Sequence, residues 1–547
     1  MKKRAIAATF VATFAVLIFT PILASAAQSC ESLASLKISD ATITASTAVP
    51  AGPWTAPAAA GAPAPPGGAR PIDLPAFCRV QLTVTPTIKI EVWMPAMGWN
   101  GNFEAVGNNG YAGNIVYAAM ANALRAGYAT ANSDTGHENT KVDWALGTDA
   151  AAKQRVVDFG YRAVHEMSVK AKQLIEAFYG SAPKLSYFNG CSTGGRQGLT
   201  EAQRYPEDFN GIYVGAPAVN WSLQMVSHVN VGLAMTKDEE SYIPAAKLPA
   251  IQNAAMESCD AQDGLKDGLL GDPRKCKVDP SVLLCKGADS PSCLNAKQVE
   301  VLKKVYAPLD DPKGKRIYPG YVPGSESGWD RFLTGAGPGK GLQFGLGVDY
   351  MKYFVLQNPN WDYHTWDFAK DLPKVEGAWT REVIDSMNPD LRKFRDRGGK
   401  LILYQGWGDD TVSPLNTLNY YKSSVSTLTG VSKGADARTP ENADFNKAAA
   451  ETGGFFRLFM VPGMNHCGGG PGPNTFDGFS SLVKWVESKQ APDSIIASHA
   501  PPSAPGAAVS APDRTRPLCP FPQTAQYSGQ GSIDDAANFV CKVPASN

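Results

Sequence analysis

The chain has 547 residues, 44% hydrophobic and 10% aromatic, and its 51 lysines and arginines equal its 51 aspartates and glutamates. That length exceeds what one small core needs and predicts a globular protein of two domains. The even charge excludes recruitment of nucleic acid or an anionic membrane by bulk field, leaving a small neutral or weakly charged substrate as the better partner.

Met1-Lys2-Lys3-Arg4, an apolar run over 5–23 and Ala24-Ser25-Ala26 have the basic, apolar, small-residue order of a secretory signal, with cleavage expected after Ala26. Residues 1–26 are thus read as a signal peptide and the mature chain as secreted or periplasmic, with no membrane partner once the signal is removed. All ten cysteines lie beyond it, and an even number in an oxidising compartment predicts five disulfides. Sequence leaves the connectivity open. Spacing suggests Cys259–Cys276, Cys285–Cys293 and Cys519–Cys541 as short loops, with Cys30–Cys78 and the long-range Cys191–Cys467 remaining. A zinc site is disfavoured, since there is no Cys-x-x-Cys pair and the histidines are scattered.

Residues 50–71, rich in Ala, Pro and Gly, are expected to form an irregular loop that Cys30–Cys78 would close. The alternation of apolar residues over 80–92 predicts strands turning at Pro86. Helical spacing covers 158–179 and ends at Gly180; a strand over 185–188 runs into Gly190, and 198–204 suits a helix. Further strands are expected at 211–214, 400–404 and 455–461. Strands alternating with helices, with chemistry-bearing residues at the strand C-terminal ends, predict an α/β fold with a mainly parallel sheet. Between Pro217 and about Asp385 this rhythm breaks, so 218–385 is read as an inserted lid domain and 27–217 with 386–547 as the core. Of the lid aromatics Trp329, Phe332, Phe344, Tyr350, Tyr353, Phe354, Trp361 and Trp366, each taken singly is expected in a core, though together they could line a pocket.

Gly190-Cys191-Ser192-Thr193-Gly194, after a strand and before a helix, has the form of a nucleophile elbow that exposes a serine oxygen. The Thr193 amide at the helix start would face an oxyanion. Among six histidines, His466 follows a strand in a Gly-flanked loop and is followed by Cys467. A bond from Cys467 to Cys191 would set Ser192 beside His466, as a nucleophile and its general base require. His137 is expected to be structural. A carboxylate orienting the histidine must come from Asp409 or Asp410, which sequence physics does not separate. Gly107-Asn108-Asn109-Gly110 after the apolar 103–106 is the candidate second oxyanion turn, with Gly110 as the donor. In 260–269, Asp260, Asp263 and Asp267 at close spacing with glycines suit a calcium ion, although the closing glutamate of an EF-hand is missing.

With Trp99-Asn100-Gly101, the run from Asp158 to His165, Gly190 to Gly198, Gly406-Trp407-Gly408-Asp409 with Pro414, and Arg516-Pro517-Leu518-Cys519-Pro520, the chain resembles the tannase and feruloyl esterase family over nearly all its mature length. The resemblance implies an α/β-hydrolase core with a lid, acting on esters of aromatic acids such as ferulate, other hydroxycinnamates or gallate. It implies a triad of Ser192, Asp409 and His466, so choosing Asp409. It further implies a disulfide joining the catalytic neighbours, and a lid calcium held by Asp260, Asp263 and Asp267 side chains and Leu265 and Leu269 carbonyls. Mono(2-hydroxyethyl) terephthalate hydrolases of the same family carry glutamate after the nucleophile where this chain has Thr193. The rival readings are such a hydrolase, a broad carboxylesterase, and a catalytically silent calcium-stabilised binding protein.

Overall fold

The computed structural model describes residues 28–57, 70–138, 141–431, 437–438, 440–500 and 510–544; the expected signal peptide lies outside them. Nine strands form one sheet: β1 (Ala41–Val49), β2 (Phe77–Val84), β3 (Ile88–Pro95), β4 (Phe103–Val106), β5 (Ala129–Ser133), β6 (Ser186–Cys191), β7 (Gly211–Gly215), β8 (Lys400–Gly406) and β9 (Phe456–Val461). Their order across the sheet is β1-β2-β3-β5-β4-β6-β7-β8-β9. The first four neighbours pair antiparallel, and every pairing from β5–β4 to β8–β9 is parallel. This is the mainly parallel α/β sheet expected from the alternating pattern, and it has the α/β-hydrolase architecture that the family resemblance implies.

Both faces of the parallel half are covered, as strand periodicity requires. Phe188, Leu401, Leu403, Phe456 and Leu458 enter one apolar cluster, while the alternate residues Tyr187, Ile402, Tyr404, Phe459 and Val461 enter another on the opposite face. Helix α1 (Ala163–Tyr179) buries Val164, Met167, Ala171, Leu174 and Ile175 in the first cluster and stops at Gly180, whose φ of 75° no β-carbon residue adopts cheaply. Helix α2 (Thr193–Arg204) starts directly after Ser192, five residues earlier than its apolar pattern suggests, because its first turn is built of small residues rather than apolar ones.

Two strands of this sheet escaped the sequence reading. β1 has no strongly apolar face, and β5 is short with Thr130, Asn132 and Ser133 fully buried, so neither shows the expected alternation. The stretch expected as irregular over 50–71 is corrected in part: Gly52–Trp54 pairs with Ile72–Leu74, the ring of Trp54 packing on Trp93.

Between β7 and β8 the chain adds no strand to the sheet, as the broken rhythm predicts. Helix α3 (Trp221–Met235) is apolar nearly all round and buried, with Val226 and Val229 in one cluster and Val231, Ala234 and Met235 in another. It therefore forms the spine of this segment. Among the described residues no helix is long and apolar enough to cross a membrane.

Candidate active site

β6 ends in a strained turn. Ser192 sits at φ 63° and ψ −119°, a conformation that lifts a half-buried side chain off the strand end, and the chain enters α2 at the next residue. The turn is possible only because its neighbours are small: a β-carbon on Gly107 would lie 2.5 Å from the Gly194 Cα, and one on Gly190 would lie 2.8 Å from the Gly194 carbonyl. As the first residue of α2, Thr193 carries one of the unpaired amides at a helix N-terminus.

The loop after β4 is clamped over that helix start. Gly194 N–H donates to the Asn108 carbonyl at 2.8 Å, and the Thr193 hydroxyl donates to the Gly110 carbonyl at 2.6 Å. Gln197 completes the clamp, accepting from the Asn108 amide at 2.9 Å and donating to its side-chain oxygen at 3.0 Å. Gly110 takes φ +50° with open space on its β-carbon side. The two sequence-predicted oxyanion residues are thus brought together.

Across the sheet end, His466 Nδ1 lies 2.9 Å and 3.1 Å from the two carboxylate oxygens of Asp409. Asp409 is itself fixed, accepting from the Thr411 and Val412 amides at 2.8 Å each and from Gln405 Nε2 at 2.9 Å. Burial pushes the His466 imidazole down, yet the charge and hydrogen bond of Asp409 lift it, and the balance stands above the ordinary histidine value. Asp410 is equally buried but does not bond His466; burial, reinforced by the Asp409 charge, pushes its carboxyl up to about 8, so it is protonated at neutral pH. Tertiary structure makes the choice between the two aspartates that sequence leaves open.

All five expected disulfides form and no described cysteine is free. Cys191 and Cys467, 276 residues apart in sequence, have Cα atoms 6.0 Å apart. Since β7 and β8 separate β6 from β9, the loop after β9 must reach back across them, and the disulfide holds it there beside the Ser192 turn. Among the described residues no hydrogen bond joins Ser192 to His466; in free enzymes such catalytic contacts are often long.

Of the eight aromatics singled out between β7 and β8, Trp329, Phe344, Tyr350 and Phe354 are buried and Tyr353, Trp361 and Trp366 are half-buried against a core cluster. Phe332 instead faces His466, ring centres 5.8 Å apart and nearly perpendicular. His137 is structural as expected: it stacks on Trp144 at 3.9 Å, its Nε2 bonds the Tyr111 carbonyl at 2.8 Å, and burial lowers its pKa to about 4. Sequence reasoning missed Gln405 and Gln197, which orient the Asp409 carboxylate and the Gly110 loop. Their only signal is an amide side chain embedded in an otherwise apolar or small-residue run.

The 260–271 loop folds around its aspartates. Asp260 accepts from the Asp267 and Gly268 amides, Asp263 from Leu265 and Gly271, and Asp267 from Leu269. Burial raises the Asp263 carboxyl, and the charges of Asp267 and Asp260 raise it further. Negative charge is therefore concentrated here, offset in part by Arg516, which donates to Asp267 at 2.7 Å. The Leu265 and Leu269 carbonyls accept no hydrogen bond among the described residues. This all-oxygen set fits a hard cation, although its carboxylate oxygens are not gathered within 4.8 Å of one another as the side-chain ligand atoms of His165, Glu201 and Asp208 are. The latter cluster is closed by a His165–Asp208 hydrogen bond of 2.7 Å with Lys172 beside it.

A family model described as "Tannase and feruloyl esterase" matches residues 75–542. The chain is 38% identical to an uncharacterised esterase of Xanthomonas campestris pv. campestris over 95% of this chain and 92% of that one. It is 33% identical to the mono(2-hydroxyethyl) terephthalate hydrolase of Piscinibacter sakaiensis over 84% and 82% of the two chains. The crystal structure of feruloyl esterase B from Aspergillus oryzae superposes with a TM-score of 0.81 at 29% identity, covering 94% of this chain and 99% of that one. With a half-buried serine on a nucleophile turn, an aspartate-held histidine whose loop a disulfide ties to that turn, and these relatives, the chain is a carboxylic ester hydrolase that belongs to the tannase and feruloyl esterase family.

Proposed function

We propose that the protein is a secreted serine esterase hydrolysing esters of aromatic acids, hydroxycinnamic or gallic, through an acyl-enzyme. The observation that carries this reading is the 2.9 Å Asp409–His466 contact held by Cys191–Cys467 at the Ser192 turn. Neutral His466 takes the Ser192 proton as the serine oxygen attacks the ester carbonyl. The amides of Thr193 and Gly110 receive the tetrahedral oxyanion, and the imidazolium, stabilised by Asp409, gives its proton to the leaving alcohol. Water then enters by the same route and releases the aromatic acid. The 218–385 segment acts as the lid. Calcium, held by Asp260, Asp263 and Asp267 with the Leu265 and Leu269 carbonyls, would brace that lid without entering the reaction. The basic-apolar N-terminus and five disulfides support export.

Assaying methyl ferulate, a gallate ester, a terephthalate monoester and a simple aliphatic ester with the purified protein tests this. Turnover of the first two above the aliphatic ester is expected, with a loss of about 10⁶-fold in kcat for Ser192→Ala. Comparable rates on the aliphatic ester would instead mean a broad carboxylesterase, and no turnover at all a silent binding protein. The terephthalate arm is included because a relative of 33% identity bears that activity in its name.

A further inference from the structure

We infer that Arg331 selects esters whose alcohol half carries a carboxylate, an inference that rests on the aromatic-ester reading and narrows its substrate class. In the proposed reaction His466 must hand its proton to the leaving oxygen, so the alcohol half lies against the imidazole while the carbonyl oxygen points to the Thr193 and Gly110 amides. Whatever overhangs the imidazole therefore borders the alcohol. Phe332 does so, its ring centre 5.8 Å from that of His466, and the Arg331 guanidinium carbon lies 5.0 Å from the centre of the Phe332 ring.

This overhang is held in place. Trp329 and Leu333, on either side in sequence, are buried in the core cluster around α3. Gly328 abuts the loop bearing His466, where a β-carbon would come within 2.5 Å of the Asn465 side-chain nitrogen. Arg331 itself is exposed and makes no ion pair among the described residues. A stacked, unpaired guanidinium at the alcohol side is a fork for a carboxylate. The His466 environment agrees, since Arg331 opposes its positive charge and a bound anion would relieve that opposition.

A caffeoylquinic acid and its carboxyl methyl ester present the same scissile bond and differ in one charge. The wild-type protein should favour the acid in kcat/KM by about 5- to 10-fold, chiefly through KM, given a partly exposed charge pair. The acid-to-ester ratio should fall to about 1 in Arg331→Ala, stay above 1 in Arg331→Lys and invert in Arg331→Glu. Because each ratio is taken within one variant, a general loss of activity cancels. An unchanged ratio in Arg331→Ala overturns the inference. So does a shift appearing instead in the ratio of monomethyl to dimethyl terephthalate, where the charge lies on the acyl half. Absence of turnover of both quinate substrates, of methyl caffeate and of a gallate ester by the wild-type protein would overturn the aromatic-ester reading itself, a result distinct from turnover with an unmoved ratio.

Discussion

Asp409 and Asp410 are adjacent and equally buried, yet their surroundings differ. Asp409 is surrounded by donors, two amides, Gln405 and the His466 ring, and so can hold the histidine tautomer and its charge. Asp410 leaves one carboxylate oxygen without a partner among the described residues, and the negative charge beside it favours its neutral form. Asp409→Asn should cost about 10³- to 10⁴-fold in kcat with little change in fold, read from steady-state kinetics and circular dichroism. Asp410→Asn should keep kcat within a few-fold. Because the Asp410 carboxyl rises from 3.8 to about 8 on folding, the native state binds the extra proton and stability falls as pH climbs through that window. Urea titrations of wild type and Asp410→Asn at about pH 5 and about pH 8 should show the variant gaining on the wild type at the higher pH. The raised His466 pKa places the acid limb of kcat/KM above the ordinary histidine value, since the base must be neutral; loss of the Asp409 charge should move that limb down.

At the scale of elements, the site is a meeting of strand ends. The β6–α2 turn presents Ser192, the β4 loop closes over it, and the β9 loop brings His466 back across two strands. Gly107→Ala should force the β4 loop away from Gly194, costing about 1–3 kcal/mol by overpacking and lowering kcat through the displaced oxyanion amide. Denaturant unfolding and kcat together check this. Replacing Cys191 and Cys467 by alanine opens a covalent loop of 276 residues, for which chain entropy alone sets a loss of roughly 5 kcal/mol. It should also lower kcat/KM by loosening the Ser192–His466 approach; stability loss with kcat/KM untouched would make the disulfide purely a brace.

For the whole molecule, the calcium proposal links the lid to the C-terminal hairpins, because Asp267 also bonds Arg516 of the strand Arg514–Leu518. A strong chelator should lower the melting temperature, by an amount corresponding to about 4 kcal/mol if calcium had been present at a thousand times its dissociation constant. An unmoved melting temperature would refute the bound ion. The sequence by itself determined the α/β layout, the nucleophile turn and the set of candidate residues, because period-2 and period-3.6 patterns and turn glycines are local signals. It lost β1 and β5, whose residues pair by neighbouring strands rather than by their own apolar pattern. Only the tertiary structure decided that Asp409 and not Asp410 meets His466, that Gln197 clamps the Gly110 loop, and that Phe332 faces the imidazole with Arg331 against its ring. Each of these depends on contacts between segments distant in the chain, whose geometry no local pattern encodes.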